Sequence, residues 1–351
     1  MAAVLDIVPD SAWTALWRRL REDKAGAISL AVVLAYLVMI LVAAAGYLAG
    51  GWSREIGVPY ANPAFLGDRP NLEATLRSRA TRPQGVMPDL RPIDPLAPKY
   101  AEWERRTAEL KVSEPERSMT LPWGGDRWGR DVLAKAIKGS QVSIAVGVVA
   151  ALCATLIGTL LGACAGFYGR WVNDFLEWIY NVFTSIPGIL LVFTLAAVLR
   201  SGPLAHLFAS GIWTVVIILS VTGWTGMYRL VRAEYMKHRS REYVLAAQAI
   251  GASAASRMFV HILPNVSHVI LVQLSLLVVS FIKVEVILSF LGLGVPVDMV
   301  SWGTMLSEAQ TELVIGKWWQ LAAATVFMAI FLTAFSMLTD SLRDALDPKL
   351  R

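Results

Sequence analysis

The feature that most limits this chain is a set of six long apolar runs, at residues 27–49, 142–168, 175–199, 207–228, 266–295 and 318–338. A hydrocarbon core about 30 Å thick is crossed by roughly 20 residues of helix, and each run meets that length. Within lipid the backbone polar groups must be satisfied inside the segment itself, which runs of this kind achieve as helices. Composition agrees, because 56% of the residues are hydrophobic and only 17% charged, whereas soluble domains are about a quarter charged. The expected fold class is therefore all-α, a polytopic membrane helical bundle with six transmembrane helices. The first run is too long for a signal-peptide core and ends without a small-residue cleavage site, so it reads as a retained anchor. Pro187 predicts a kink in the third run, to be accommodated by neighbouring helices, and Trp318 and Trp319 open the sixth at the membrane interface.

Six crossings put both termini on one side. Fourteen Lys and Arg residues, among them Arg18, Arg19, Arg229, Arg232, Arg241 and Arg343, flank the runs on the side of the N-terminus, against Arg200 and Lys317 on the other. The positive-inside rule then places both termini in the cytoplasm. The organisation that follows is a cytoplasmic N-terminus and first helix (1–50), an extracytoplasmic insertion (51–140), a core of five helices (141–340) with a cytoplasmic loop at 229–264, and a cytoplasmic tail (341–351). The middle of the insertion is rich in Pro and Arg (Arg69–Pro70, Arg82–Pro83, Arg91–Pro92), which reads as loop and short extended segments, with a few helical turns at 100–110.

Enzymatic chemistry finds no footing. There is no phosphate-binding glycine loop, no H-E-x-x-H and no nucleophile elbow, and His206, His238, His261 and His268 offer no ligand spacing for a metal. Cys153 and Cys164 lie on one helix about 16 Å apart, too far to bridge. The net charge of +5 is a matter of membrane topology, not of a nucleic-acid partner. Moving, anchoring or signalling remain.

The loop from Arg241, REYVLAAQAIGASAASRMFVHILPN, carries a pattern. It resembles the E-A-A loop of ABC importer permeases, with Ala246, Ala247, Gly251, Leu263 and Pro264 at matching positions. Leu245 stands where the first Glu is expected and His261 where an Ile is, while Glu242 lies one turn earlier. With Ala252, Ser253 and Asn265 the variant is similar to the oligopeptide and dipeptide (OppC/DppC-like) branch. WGGDRWGRDV at 123–132 resembles the family signature before the second span, keeping Gly124, Asp126, Gly129, Arg130 and Asp131. EVILSFLGLGV at 285–295, the following Ser301-Trp302-Gly303, and the closing LRDALDPKLR resemble family motifs too. The residues make physical sense on their own terms. Ala246, Ala247 and Ala249 are strong helix formers, Gly251 permits a positive φ, and Pro264 suits the first turn of a helix. Lys283 and Glu285, two positions apart in the fifth run, point to different faces of a helix, where either would line a pathway or touch another helix.

The resemblance implies a non-enzymatic permease subunit in the bacterial inner membrane, forming half of a translocation pathway for peptides or similar small solutes. It implies a coupling role for Glu242, Ala246, Ala247, Gly251, Ala252, Ser253, His261, Leu263 and Pro264, on two short helices docked in the groove of an ATPase. The implied partners are a second permease subunit in a heterodimer, two ATP-binding subunits holding ATP and Mg, an extracytoplasmic solute-binding protein, and membrane lipid. No cofactor or metal is expected on this chain. Two other readings stay open. A secondary transporter should show inverted repeats, and a membrane scaffold would leave the 246–264 pattern without a role.

Overall fold

The computed structural model describes residues 22–67, 94–109, 117–201, 211–296 and 298–346. In chain order its helices are α1 (Lys24–Ala44), α2 (Tyr100–Glu109), α3 (Val132–Tyr168), α4 (Arg170–Thr184), α5 (Gly188–Ser201), α6 (Ile212–Arg239), α7 (Glu242–Ala249), α8 (Leu263–Phe290), α9 (Trp302–Val314) and α10 (Trp319–Leu346), with strands β1 (Gly57–Pro63) and β2 (Ser118–Leu121). Two compact units result, one of residues 53–133 and one of the helices at 1–52 and 134–351.

In the helical unit α1, α3, α6, α10 and the stretch Ala254–Phe290 are each long and apolar enough to cross a membrane. The third apolar run departs from expectation. Pro187 does not kink one helix; it separates α4 from α5, whose axes meet at 85°. The reason is local. Proline has no N–H to continue the ladder and disfavours helical backbone at the residue before it. Ser185 closes α4 by bonding Asn181 through its N–H (3.0 Å) and Val182 through its hydroxyl (2.8 Å). The Pro187 carbonyl then receives the N–H groups of Leu190 and Leu191, which restarts the chain as α5.

Contacts fix the direction of travel. Gly158, Gly162 and Gly166 let α3 lie against the backbone of α6: a Cβ on them would sit 2.7, 2.7 and 2.6 Å from the carbonyls of Trp224, Tyr228 and Arg232. Rising numbers match rising numbers, so α3 and α6 are parallel. This is the small-residue packing by which membrane helices approach closely. Along α4, Asn173 meets Arg232 while Phe183 stacks edge-on to Trp224, so α4 runs back antiparallel to both. The chain must therefore travel from the C-terminal end of α3 to the N-terminal end of α6, the length of a 28-residue helix, or about 42 Å. α4 and α5 together make that crossing, so among the described residues the bundle has six passages, one of them broken.

At its other edge α1 packs on α10, with the Tyr36 hydroxyl donating to the Phe327 carbonyl (2.9 Å) and the Ser341 hydroxyl to the Asp23 carboxylate (2.5 Å). The beginnings of α1 and α8 and the ends of α3, α6 and α10 thus share one end of the bundle, which also carries α7. Helix α9 lies at the opposite end and is an element that the sequence reading did not foresee. The fifth apolar run was expected to reach residue 295, but α8 stops at Phe290, and the chain turns at Gly292 with φ +75°.

In the smaller unit β1 and β2 pair in parallel, with Gly57 opposite Ser118 and Pro63 opposite Leu121. The helical turns expected at 100–110 are α2. The Pro- and Arg-rich middle of the insertion lies outside the described residues. Positions 134–140, read from the sequence as the end of the insertion, belong to α3.

Candidate functional site

The loop at 229–264 is built from five successive helical pieces. Its first eleven residues are helical and continue α6 to Arg239, a basic last turn that suits the negative end of a helix dipole. Helix α7 follows from Glu242, an acidic residue in a first turn, where the dipole favours it. Val244 and Ala247, one turn apart, are buried at 1% and 4% exposure and hold α7 to the bundle. Ala246 and Ala249 are exposed, as are Leu245 (53%) and Ile250 (85%). An aqueous-side helix with two such aliphatic side chains uncovered has an apolar face available to another protein.

The end of α7 explains Gly251. The Gly251 N–H donates to the Gln248 carbonyl and the Ala252 N–H to that of Ala247, at 3.0 and 2.9 Å. This is the paired C-terminal closure that needs a left-handed residue, and Gly251 supplies it with φ +88°. A Cβ at Gly251 would meet nothing within 4 Å. Glycine is therefore required by the backbone and not by crowding within this chain.

Ser253 then caps a single turn, Ala254–Ser256, its hydroxyl accepting from the Ser256 N–H at 3.2 Å. Next comes a π-helical turn, Arg257–Ile262, and α8 begins with Leu263 and Pro264. The widened turn is where a proline ring would otherwise press on the carbonyl four residues back. His261 gives its carbonyl to the Asn265 side chain (2.7 Å). The two short helices expected in this loop are thus α7 and a π-helical turn merging into a membrane-spanning helix.

Residues that sequence reasoning missed tie this region to the bundle. Arg257 bonds Gln248 of α7 and stands 5.3 Å from the ring of Phe167 at the end of α3. Arg239 donates to the Phe167 carbonyl (3.1 Å), and the buried Tyr235 hydroxyl donates to the Met258 carbonyl (3.1 Å). His238 Nδ1 and the Tyr243 hydroxyl are 2.8 Å apart, and burial raises the Tyr243 phenol above its ordinary pKa. No spacing rule joins Phe167 to Arg257, so nothing local in the sequence could have revealed that pair.

Two further groups of candidate residues occupy other settings. In the smaller unit the fully buried Asp126 accepts the N–H groups of Trp128 and Arg130 on one oxygen, both at 2.9 Å, while its carbonyl receives Tyr60. Gly129 has φ +79°, and a Cβ there would fall 1.9 Å from the Gly57 carbonyl; Gly124 is also left-handed at φ +88°. The Asp131 carboxylate accepts the Leu133 N–H (2.9 Å) and so caps the start of α3. The 124–131 signature shapes one tight turn against β1.

Glu285, in α8, is fully buried. Ser289 donates to its carboxylate at 2.6 Å, and the hydroxyls of Ser143 and Ser301 lie against it. The same serines hold backbone: Ser289 accepts from the Val295 N–H and Ser143 from the Trp302 N–H, both at 3.2 Å. Lys283 faces the other way and is exposed, in line with Ser280 and Ile287. Nearby, Lys135 is 1% exposed and bonds Glu308 of α9 (2.5 Å) and Gln320 of α10 (3.3 Å).

Comparison with known proteins adds the following. The family described as "Binding-protein-dependent transport system inner membrane component" matches residues 154–351. The oligopeptide transport system permease protein OppC of Bacillus subtilis is 36% identical over 255 residues, covering 73% of this chain and 80% of that protein. The dipeptide transport system permease protein DppC of the same organism is 38% identical over 246 residues, covering 68% and 74%. A chain of the inward-facing MetNI methionine ABC transporter is 16% identical with a TM-score of 0.49, over 61% of this chain and 97% of that one, a likeness too slight to build on.

Proposed function

This chain belongs to the binding-protein-dependent transport family of inner-membrane components, and on that premise we propose that it carries peptides inward, with α7 as its link to an ATPase. It is a multi-pass inner-membrane permease subunit of an ABC importer, non-catalytic by itself, working in a complex with ATPase and substrate-binding partners. The finer reading is a heterodimer with a second permease and two ATP-binding subunits that hold ATP and Mg. The α7 end and both termini would then lie in the cytoplasm, as the positive-inside rule requires. Closure of the ATPases would draw on α7, and the spans would tilt to open the pathway outward.

The observation that carries this is the uncovered aliphatic face of α7, anchored on one side by Val244 and Ala247 and open on the other at Leu245 and Ile250. Peptide cargo rests on the oligopeptide and dipeptide permeases that the chain resembles over more than two-thirds of its length. The residues proposed for coupling are Glu242, Ala246, Ala247, Gly251, Ala252, Ser253, His261, Leu263 and Pro264. The test is uptake by proteoliposomes holding this chain, its partner permease and both ATPases, supplied with the binding protein. Radiolabelled di- and oligopeptides should accumulate only with ATP inside the compartment that bears α7. Accumulation without ATP would point to a secondary transporter, and ATP-driven uptake of free amino acids or sugars in place of peptides would overturn the cargo.

A further inference from the structure

The broken third passage has a side that neither the bundle nor an apolar surrounding accounts for. Helix α4 presents three faces. One packs on α3 and α6 through Val172, Leu176, Ile179 and Phe183. A second is an exposed apolar strip of Trp171, Phe175, Trp178 and Val182, at the i, i+4, i+7 and i+11 spacing that lipid-facing residues take. The third, about a quarter-turn away, is polar: Asp174, Asn181, Thr184 and Ser185 are exposed on it, while Glu177, partly buried, is tied to α6 by the Tyr228 hydroxyl (3.4 Å) and Arg232 (3.4 Å). This face runs into the bend at Pro187.

Depth can be read from the neighbours. Phe183 stacks on Trp224, and Trp224 lies beside Gly158. The charge-free part of α3 extends from Val142 to Tyr168, so the break falls near the middle of the bilayer. All seven residues from Thr184 to Leu190 are exposed, and a Cβ on Gly188 would meet open space. The Gly188 and Ile189 N–H groups make no backbone bond among the described residues. Non-helical backbone at this depth is tolerated only when protein buries it or when it lines a water-filled cavity, and polar side chains inside a span mark such a cavity.

We propose that the polar strip of α4 and the break at Thr184–Gly188 line the aqueous translocation pathway, and that the free N–H groups of Gly188 and Ile189 there hydrogen-bond the amide carbonyls of the passing solute. The strip leads from the α7 end to mid-membrane, where the chain offers unpaired donors at the depth a solute must pass. The solute class rests on the importer reading above. The lining itself does not, since it follows from burial and depth.

The test compares two strips of one half-helix at equal depth, in the assembled complex carrying C153A and C164A. Methanethiosulfonates react with the thiolate, which forms only where water reaches the sulfur. Asn181→Cys and Ser185→Cys should react with a trimethylammonium-ethyl methanethiosulfonate about tenfold faster or more than Trp178→Cys and Val182→Cys, which lie within a turn of them. Gly188→Cys, placed in open space, serves if Ser185→Cys fails to assemble. Modification at Ser185→Cys should also lower dipeptide uptake, and modification at Val182→Cys should not. Equal rates on the two strips, or faster reaction on the apolar one, would overturn the proposal. A complex that imports no peptide but keeps the contrast in rates would sink the cargo reading and leave the lining standing.

Discussion

The two ends of the helical unit use the same residue type for opposite reasons. At the α9 end Gly303 is hemmed in: a Cβ there would lie 2.5 Å from both the Ser289 Cβ and the Val286 carbonyl. At the α7 end Gly251 has open space around it and is held by its φ of +88° alone. Around Gly303 the family-like residues Glu285, Ser289, Ser301 and Trp302 are all buried, with Ser289 bonding Glu285, Ser301 accepting the Thr304 N–H and the Trp302 N–H donating to the Ser143 hydroxyl. Around Gly251 the residues at and next to the matching positions, Leu245, Ala246 and Ile250, are exposed. One motif closes the fold on itself; the other leaves a face unfilled. A chain that works within a complex needs both kinds, and burial tells them apart where the motif alone does not.

The strongest way to break this contrast is at Gly303. Gly303→Val drives a side chain into the backbone of α8, an overpacking cost above about 3 kcal/mol. We expect little monodisperse protein in detergent by fluorescence-detected size exclusion, and near-normal recovery would mean that α8 and α9 do not meet as described.

Glu285→Ala comes next. It leaves the Ser289 hydroxyl without its acceptor and opens a small cavity, together roughly 2–3 kcal/mol. The thermal transition of the purified subunit should fall by several degrees. Unchanged melting with lost uptake would instead make Glu285 a pathway residue. The comparison would be sharpened by Gly251, where Gly251→Val forces a branched residue into left-handed backbone at about 1–2 kcal/mol. Gly251→Asn should recover most of that, because Asn tolerates this region. Equal damage from both in a urea titration would point to crowding and not conformation.

What was legible in the sequence follows the same division. The spans could be read because an apolar run of about 20 residues is a local property. Gly251 could be read because a helix ending in a left-handed residue is local too. Pro187 announced an interruption, and the bonds that close α4 and restart α5 are local, but the packing of Leu176 and Phe183 against α3 and α6 lies in no window of sequence. Helix α9 is short and lies between two spans, and its capping box at Ser301 and Thr304 went unread. The Lys135–Glu308 pair joins residues 173 positions apart, beyond any spacing rule. Lys283 and Glu285 were both charges in a span, with only Glu285 inside a family-like motif, and burial is what sets them on opposite faces.

The central claim is that the exposed face of α7 is where this subunit meets its ATPase, and the most direct measurement removes that face without touching the fold. Leu245→Ser combined with Ile250→Ser changes two exposed side chains, each expected to shift stability by less than about 0.5 kcal/mol. Affinity-purified complexes would be assayed for ATPase retention, with the melting of the isolated subunit as the control. The account predicts unchanged melting, loss of the ATPase subunits on washing and a matching fall in ATP-driven uptake. Full retention and normal uptake, with the same melting, would contradict it.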